Sequence, residues 1–227
     1  KLSQSYAIGG SGIRDGEKGQ MLAEFPSKQQ EIATAKVERI DPVSGGITIR
    51  IGKAEAVLPK SEQIGDETFK EGDLIKVYIV DVRTTDRGPR AFISRTHPDF
   101  VKRLFETEVP EIFDGIVEIK SVSREAGSRT KMAVYSNDKT IDAVGSCIGA
   151  KGARVNTIVE ELGGEKIDIV EWSEDPAKFI AASLSPATVI KVVIEDLEGK
   201  SCRVTVPDNQ LSLAIGNKGQ NARLAAK

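Results

Sequence analysis

Two short strings in this chain combine glycine, lysine and flanking apolar residues in a way that suits contact with a phosphate backbone. Ile148, Gly149, Ala150, Lys151 and Gly152 are matched 67 positions later by Ile215, Gly216, Asn217, Lys218 and Gly219. With 21 glycines in 227 residues, ~2 Gly-x-x-Gly pairs are expected by chance, so the bare pattern carries little weight. Four occur. Those starting at Gly9 and Gly16 lie among polar residues with no helical periodicity, whereas those starting at Gly149 and Gly216 share the longer Ile-Gly-x-Lys-Gly string and the same flanking pattern. Two helices joined by such a turn admit a nucleic-acid backbone with no β-carbon in its way, and amides at the start of the next helix point at phosphate. Lys151 and Lys218 each add a charge, and Arg154 and Arg223 reach the same strand from the following helices. The candidate RNA-binding set is therefore Gly149, Ala150, Lys151, Gly152, Arg154, Gly216, Asn217, Lys218, Gly219, Asn221 and Arg223. Four bases per loop would lie over the adjoining apolar surface, read by hydrogen bonds to their edges rather than by ring stacking. The blander alternative is a pair of helix corners that use glycine only for packing; the lysine repeated in both argues against it.

Other chemistries lack their residues. His97, Cys147 and Cys202 are the only histidine and cysteines, too few and too scattered for a zinc site. Two cysteines 55 positions apart do not make a disulfide framework and point to a reducing, cytoplasmic compartment. No nucleophile or carboxylate motif accompanies His97, so the chain is read as a non-enzyme with no metal and no cofactor. The net charge of -2 and pI near 5.7 exclude binding of polyanions by bulk charge, so any nucleic-acid contact must be local. The run over residues 74–82 is interrupted by Lys76 and Asp81 and falls well short of the roughly 20 apolar residues a membrane helix needs. No secretory signal opens the chain, which is expected to be monomeric and free of membrane.

The loops must be held by two kinds of scaffold. Residues 1–31 form a lead-in read as flexible, with five glycines among polar residues before position 22. Over residues 32–96 the period is two: Ala33, Ala35 and Val37; Ile47, Ile49 and Ile51; Ala54, Ala56 and Leu58; then runs at 74–82 and 90–94. Five short strands predict a small closed barrel of the OB type. Residues 97–174 open on a helix bearing Phe100, Val101, Leu104 and Phe105, and continue with strands at 115–122 and 131–136, the first glycine corner, and a strand at 166–172. Residues 175–227 repeat the order helix, strand, strand, helix, helix, beginning with Asp175 as N-cap before Pro176. The fold class is thus α+β and multidomain.

The order of these parts, with the strings Ser94-Arg95-Thr96-His97-Pro98, Val109-Pro110-Glu111-Ile112, Arg124-Glu125-Ala126-Gly127, Gly164-Glu165-Lys166-Ile167-Asp168-Ile169 and Leu211-Ser212-Leu213-Ala214-Ile215-Gly216, resembles the NusA family of bacterial transcription factors from about residue 22 onward. The resemblance implies an S1-type OB barrel followed by two prokaryotic-type (type II) KH modules. It implies a rigid single-stranded RNA-binding unit acting in transcriptional pausing, termination and antitermination, with nascent RNA and RNA polymerase as partners. The sequence has no counterpart of the family's N-terminal, polymerase-contacting domain, and it stops at Lys227 within the helix after the second loop, so the second module is expected to lack its closing strand. Two other readings compete: an RNA-binding subunit of an RNA-degrading assembly, and a protein-docking scaffold.

Elsewhere the plain explanations win. Thr48, Arg50 and Glu55 stand where barrels of this kind place aromatics, and Phe69, Tyr78 and Phe92 read as core. Arg83, Arg87 and Arg90 read as solvated turn charges, His97 as a capping or linker residue, Cys147 as a small buried residue, and the acidic run at 171–175 as a solvated turn. Arg124, Arg129 and Lys131 are placed on an exposed hairpin that is either a supplementary RNA edge or ordinary surface, and Trp172 is placed between the modules.

Overall fold

A computed structural model describes residues 6, 7 and 29–227, which divide into two compact units, the described residues up to 104 and residues 105–227. In the first unit, strands β2 (Ile32–Ile40), β3 (Ile47–Ile51), β4 (Ala54–Leu58), β5 (Leu74–Thr85) and β6 (Gly88–Ser94) are joined antiparallel in the order β6-β5-β2-β3-β4. β4 returns against β6, so the sheet is a nearly closed barrel. The expected lead-in lies largely outside the described residues; within it, β1 (Tyr6–Ala7) pairs with Arg90 and Ala91 at the free edge of β6. Strand residues that alternate in the sequence alternate in burial. Ala35, Val37, Ile49, Ala54, Leu58, Val77 and Ile79 are all buried in one core, with Phe69 and Val82 against it. Tyr78 and Phe92 are buried as well.

Arg95 closes this unit from inside. It is 2% exposed, donates from Nε and Nη2 to the Glu67 carboxylate at 3.0 and 3.2 Å, and donates from Nη1 to the Lys76 carbonyl at 2.5 Å. The rings of Phe69 and Phe100 lie 5.5 and 5.3 Å from its guanidinium. His97 caps the helix that follows, its Nδ1 accepting from the Asp99 amide at 3.0 Å while its ring stacks on Tyr78. That helix is α1 (Pro98–Glu108).

The second unit holds two α/β modules. The first contains α2 (Pro110–Phe113), the antiparallel pair β7 (Val117–Glu125) and β8 (Arg129–Ser136), α3 (Ala143–Ile148), α4 (Ala153–Glu161) and β9 (Lys166–Glu171). β9 runs parallel to β8, which the α3–α4 crossover makes possible. The second contains α5 (Pro176–Ser183), the antiparallel pair β10 (Lys191–Asp196) and β11 (Ser201–Thr205), α6 (Leu211–Ile215) and α7 (Gln220–Ala226). Asp175 caps α5 as its position before proline requires, accepting from the Ala177 amide at 3.0 Å. Among the described residues no strand stands beside β11 as β9 stands beside β8.

The hairpin charges are not the exposed set expected of Arg124, Arg129 and Lys131: Arg124 and Lys131 are buried and Arg129 is half-buried. Arg124 and Glu165 have fully buried side chains and share two nitrogens across 3.0–3.2 Å. Glu165 also accepts from the Gly127 amide at 2.6 Å and the Thr130 hydroxyl at 2.7 Å. Arg129 and Lys131 converge on Asp168 of β9 at 2.7 and 2.9 Å. Burial pushes the Asp168 carboxyl up, but hydrogen bonds and charge from both cations outweigh it and leave its pKa below the usual range. The sequence hides this because the acids lie about 40 residues from the bases. Replacing Glu165 by alanine takes the carboxylate away from a buried guanidinium and is expected to destabilise the second unit by about 3–5 kcal/mol in a urea titration; a loss below about 1 kcal/mol would refute the assignment.

Candidate nucleic-acid interface

The two glycine corners have the same backbone. Gly149 and Gly216 end α3 and α6 at φ/ψ of 77/172 and 79/171. Lys151 and Lys218 both sit at 53/28, and Gly152 and Gly219 at 75/14 and 76/11. A lysine held left-handed costs of order 1–3 kcal/mol unless its surroundings impose it. Here a single-turn 3-10 segment imposes it twice, with the Gly152 and Gly219 amides donating to the Gly149 and Gly216 carbonyls at 3.1 Å.

The two glycines of each corner do different work. A β-carbon on Gly149 would meet Arg154 Cγ at 2.7 Å, and one on Gly216 would meet the Asn221 amide nitrogen at 2.7 Å. The first glycine is therefore needed for the close approach of the following helix, not to make room for a ligand. The last is the open one: a β-carbon on Gly219 would meet nothing within 4 Å, and one on Gly152 would meet the Asn156 side chain at 3.2 Å. The amides expected to face phosphate at the helix starts are partly consumed, since those of Gly152, Ala153, Gly219 and Gln220 donate within the corner itself.

Of the eleven candidate residues, eight form the corners and three support them. Ala150, Lys151, Asn217 and Lys218 are exposed, and neither lysine makes an ion pair among the described residues. Arg154 turns inward, donating from Nη1 to Glu111 and to the Ser146 carbonyl, each at 2.8 Å. Asn221 is 1% exposed and donates to the Leu184 and Ala214 carbonyls at 3.1 and 2.9 Å. Arg223 donates to Glu125 and to the Lys218 carbonyl. Each of the three thus has protein partners, Asn221 buried, Arg154 half-buried and Arg223 on the surface. Ile148 and Ile215, the last residues before each first glycine, are exposed, as are Leu211 and Leu213, so an apolar wall adjoins the corners. Cys147 is buried behind the first corner, and burial pushes its thiol up to about 12; Ala214 fills the matching place in the second.

Two of the barrel's arginines are paired locally. Arg50 pairs with Glu38 at 2.6 Å and Glu55 at 3.5 Å across the barrel strands, and Arg83 pairs with Asp81 at 2.7 Å while lying 4.8 Å above the Phe92 ring. Trp172 meets Tyr135 edge-on at 5.6 Å, with the Lys120 ammonium over both rings, and Lys178 and Ala182 of the second module border the adjoining cavity. Among the described residues no three His, Cys, Asp or Glu side chains are grouped to hold a metal ion, and no helix is long and apolar enough to cross a membrane.

Comparison with known proteins agrees with this arrangement. Residues 28–93 match the S1 RNA binding domain, residues 95–172 the NusA-like first KH domain, and residues 176–227 the NusA-like second KH domain. The chain is 54% identical over 215 residues to the transcription termination/antitermination protein NusA of Bacillus subtilis, covering 95% of this chain and 57% of that protein. It is 46% identical over 221 residues to NusA of Mycobacterium tuberculosis, covering 95% and 64%, and 44% identical over 215 residues to NusA of Thermus thermophilus, covering 95% and 55%. The chain therefore spans little more than half the length of these relatives.

The division of labour between glycines is open to direct test. Gly219→Ala is expected to cost about 1–2 kcal/mol of stability, the left-handed penalty alone. Gly216→Ala is expected to cost about 1–3 kcal/mol beyond that, because its methyl group collides with the start of α7 and its φ/ψ of 79/171 is a region that only glycine adopts readily. Equal losses in denaturant titrations would show that the close approach is unimportant.

Proposed function

We propose, for a chain that belongs to the NusA family, that it binds single-stranded RNA as part of a transcription termination and antitermination factor and holds the strand along its two glycine corners. The observation that carries this reading is the recurrence, 67 residues apart, of one unusual backbone with an exposed lysine at its left-handed position that makes no ion pair among the described residues. The strand's phosphates pass beside Lys151 and Lys218, over Gly152 and the open face of Gly219, and its bases lie toward the apolar residues Ile148, Leu211 and Ile215. Ala150 and Asn217 are the exposed neighbours of the lysines, and Asn217 adds a side-chain donor and acceptor. Nascent transcript is the RNA and RNA polymerase the protein partner, in keeping with the termination and antitermination role named for the relatives.

The charge distribution favours a few local contacts. With a net charge of -2, attraction comes from the corners and not from the whole surface. Two lysines that neutralise about two phosphates give a slope of log affinity against log salt of about −1.4 for a single strand. A slope several times steeper would place the contact elsewhere.

The direct test replaces Ala150, Lys151, Asn217 and Lys218 by aspartate, a residue that tolerates the left-handed region better than most. RNA affinity is expected to fall at least ~10-fold while the circular dichroism spectrum is unchanged, since removing each charge contact and opposing the phosphate costs on the order of 1 kcal/mol or more. Unchanged affinity would remove the corners from the site.

A further inference from the structure

The second corner is fastened to the first module by a contact that the internal repeat does not require. Glu125 ends β7 in the first module; Arg223 and Gln220 lie on α7, the helix that begins at the second corner. The Glu125 carboxylate accepts from Arg223 Nε at 2.5 Å, from Arg223 Nη2 at 3.1 Å and from Gln220 Nε2 at 2.9 Å. Gln220 also donates to the Ser128 hydroxyl at 2.7 Å in the same hairpin. The third nitrogen of Arg223, Nη1, donates to the carbonyl of Lys218 at 3.1 Å. One guanidinium thus connects the main chain of the second corner's own lysine to the first module. Those donors hold the Glu125 carboxyl down to about 2, so the contact stays charged at neutral pH.

The first corner is held differently. Arg154 fastens α4 to Glu111 and Ser146 of its own module, and Asn156, which stands 67 residues before Arg223, makes no such bridge. Arg223 and Glu125 are therefore an addition to the repeat, placed where the two modules meet. Lys131 adds a second link, donating to the Ser185 carbonyl at 2.7 Å.

We infer that Glu125 is a positioning residue: through Arg223 and Gln220 it fixes the second glycine corner relative to the first, so that one RNA strand finds both corners already at a set separation. This rests on the RNA-binding reading given above. Two sites held at a fixed span raise the effective concentration of the second contact, and loosening the span lowers affinity only for strands long enough to use both.

The Glu125→Lys variant separates this role from the alternatives. It adds positive charge near the RNA, so charge alone predicts tighter binding, as would a direct contact between a freed Arg223 and phosphate. The clamp predicts the opposite. Against single-stranded RNAs of graded length, Glu125→Lys is expected to bind the longest strands about 5–10-fold more weakly while the shortest, reaching one corner, bind as before. The Glu125→Lys/Arg223→Glu double variant is expected to recover part of the loss, more than independent effects allow. Unchanged or tighter binding of long strands by Glu125→Lys, or a strictly additive double variant, would overturn the inference.

Spin labels read the clamp without RNA. With Ala150→Cys and Asn217→Cys labelled and Cys202→Ser removing the exposed thiol, the distance between labels is expected to be narrowly distributed in the parent and broad with Glu125→Lys. Equal widths would overturn the clamp whether or not RNA binds. A narrow distribution that broadens with Glu125→Lys in a protein with no affinity for any RNA would instead uphold the clamp and sink the RNA-binding reading.

Discussion

The candidate interface depends on how tightly α4 and α7 pack against the first glycine of their corners. With the Asn221 amide nitrogen 2.7 Å from where a β-carbon of Gly216 would stand, no side chain fits there. That approach forces the chain to reverse in three residues, and the reversal leaves the central lysine left-handed and exposed. Strain of this kind persists only where neighbouring structure over-determines it. Two corners with φ and ψ agreeing to within a few degrees at each position show that the same packing solves the same problem twice.

Behind the corners, the first module is organised around charge placed in its interior. A buried ion pair is weak evidence for stability, because desolvation offsets most of its attraction, but it is strict about geometry. Arg124 and Glu165 join β7 to the turn before β9, and Asp168 of β9 collects Arg129 and Lys131 from β8. These contacts select the parallel placement of β9 beside β8. Lys131 then reaches the Ser185 carbonyl, so one network that orders the first sheet also touches the second module.

The barrel follows another logic. Its core is aliphatic, and on its strands Arg50 pairs with Glu38 and Glu55 and Arg83 with Asp81. Paired in this way, such charges offer less to a polyanion than the unpaired lysines of the corners do.

The barrel strands, the helical caps and the repeated corners were legible in the sequence because each is local: alternation of period two, Asp before proline, and a glycine-lysine string repeated at a fixed interval. The same locality made Arg154, Asn221 and Arg223 look like ligand contacts, since all three follow a corner on its helix. Tertiary structure gave each of them a protein partner as well. Their partners, Glu111, Leu184 and Glu125, are 37–98 residues away, as is the partner of Arg124 at 41. A side chain's residue type fixes what it can donate, but only the folded chain determines which acceptor it meets. The sequence therefore set the chemistry of the corners, and the packing of distant segments decided which protein groups their side chains meet.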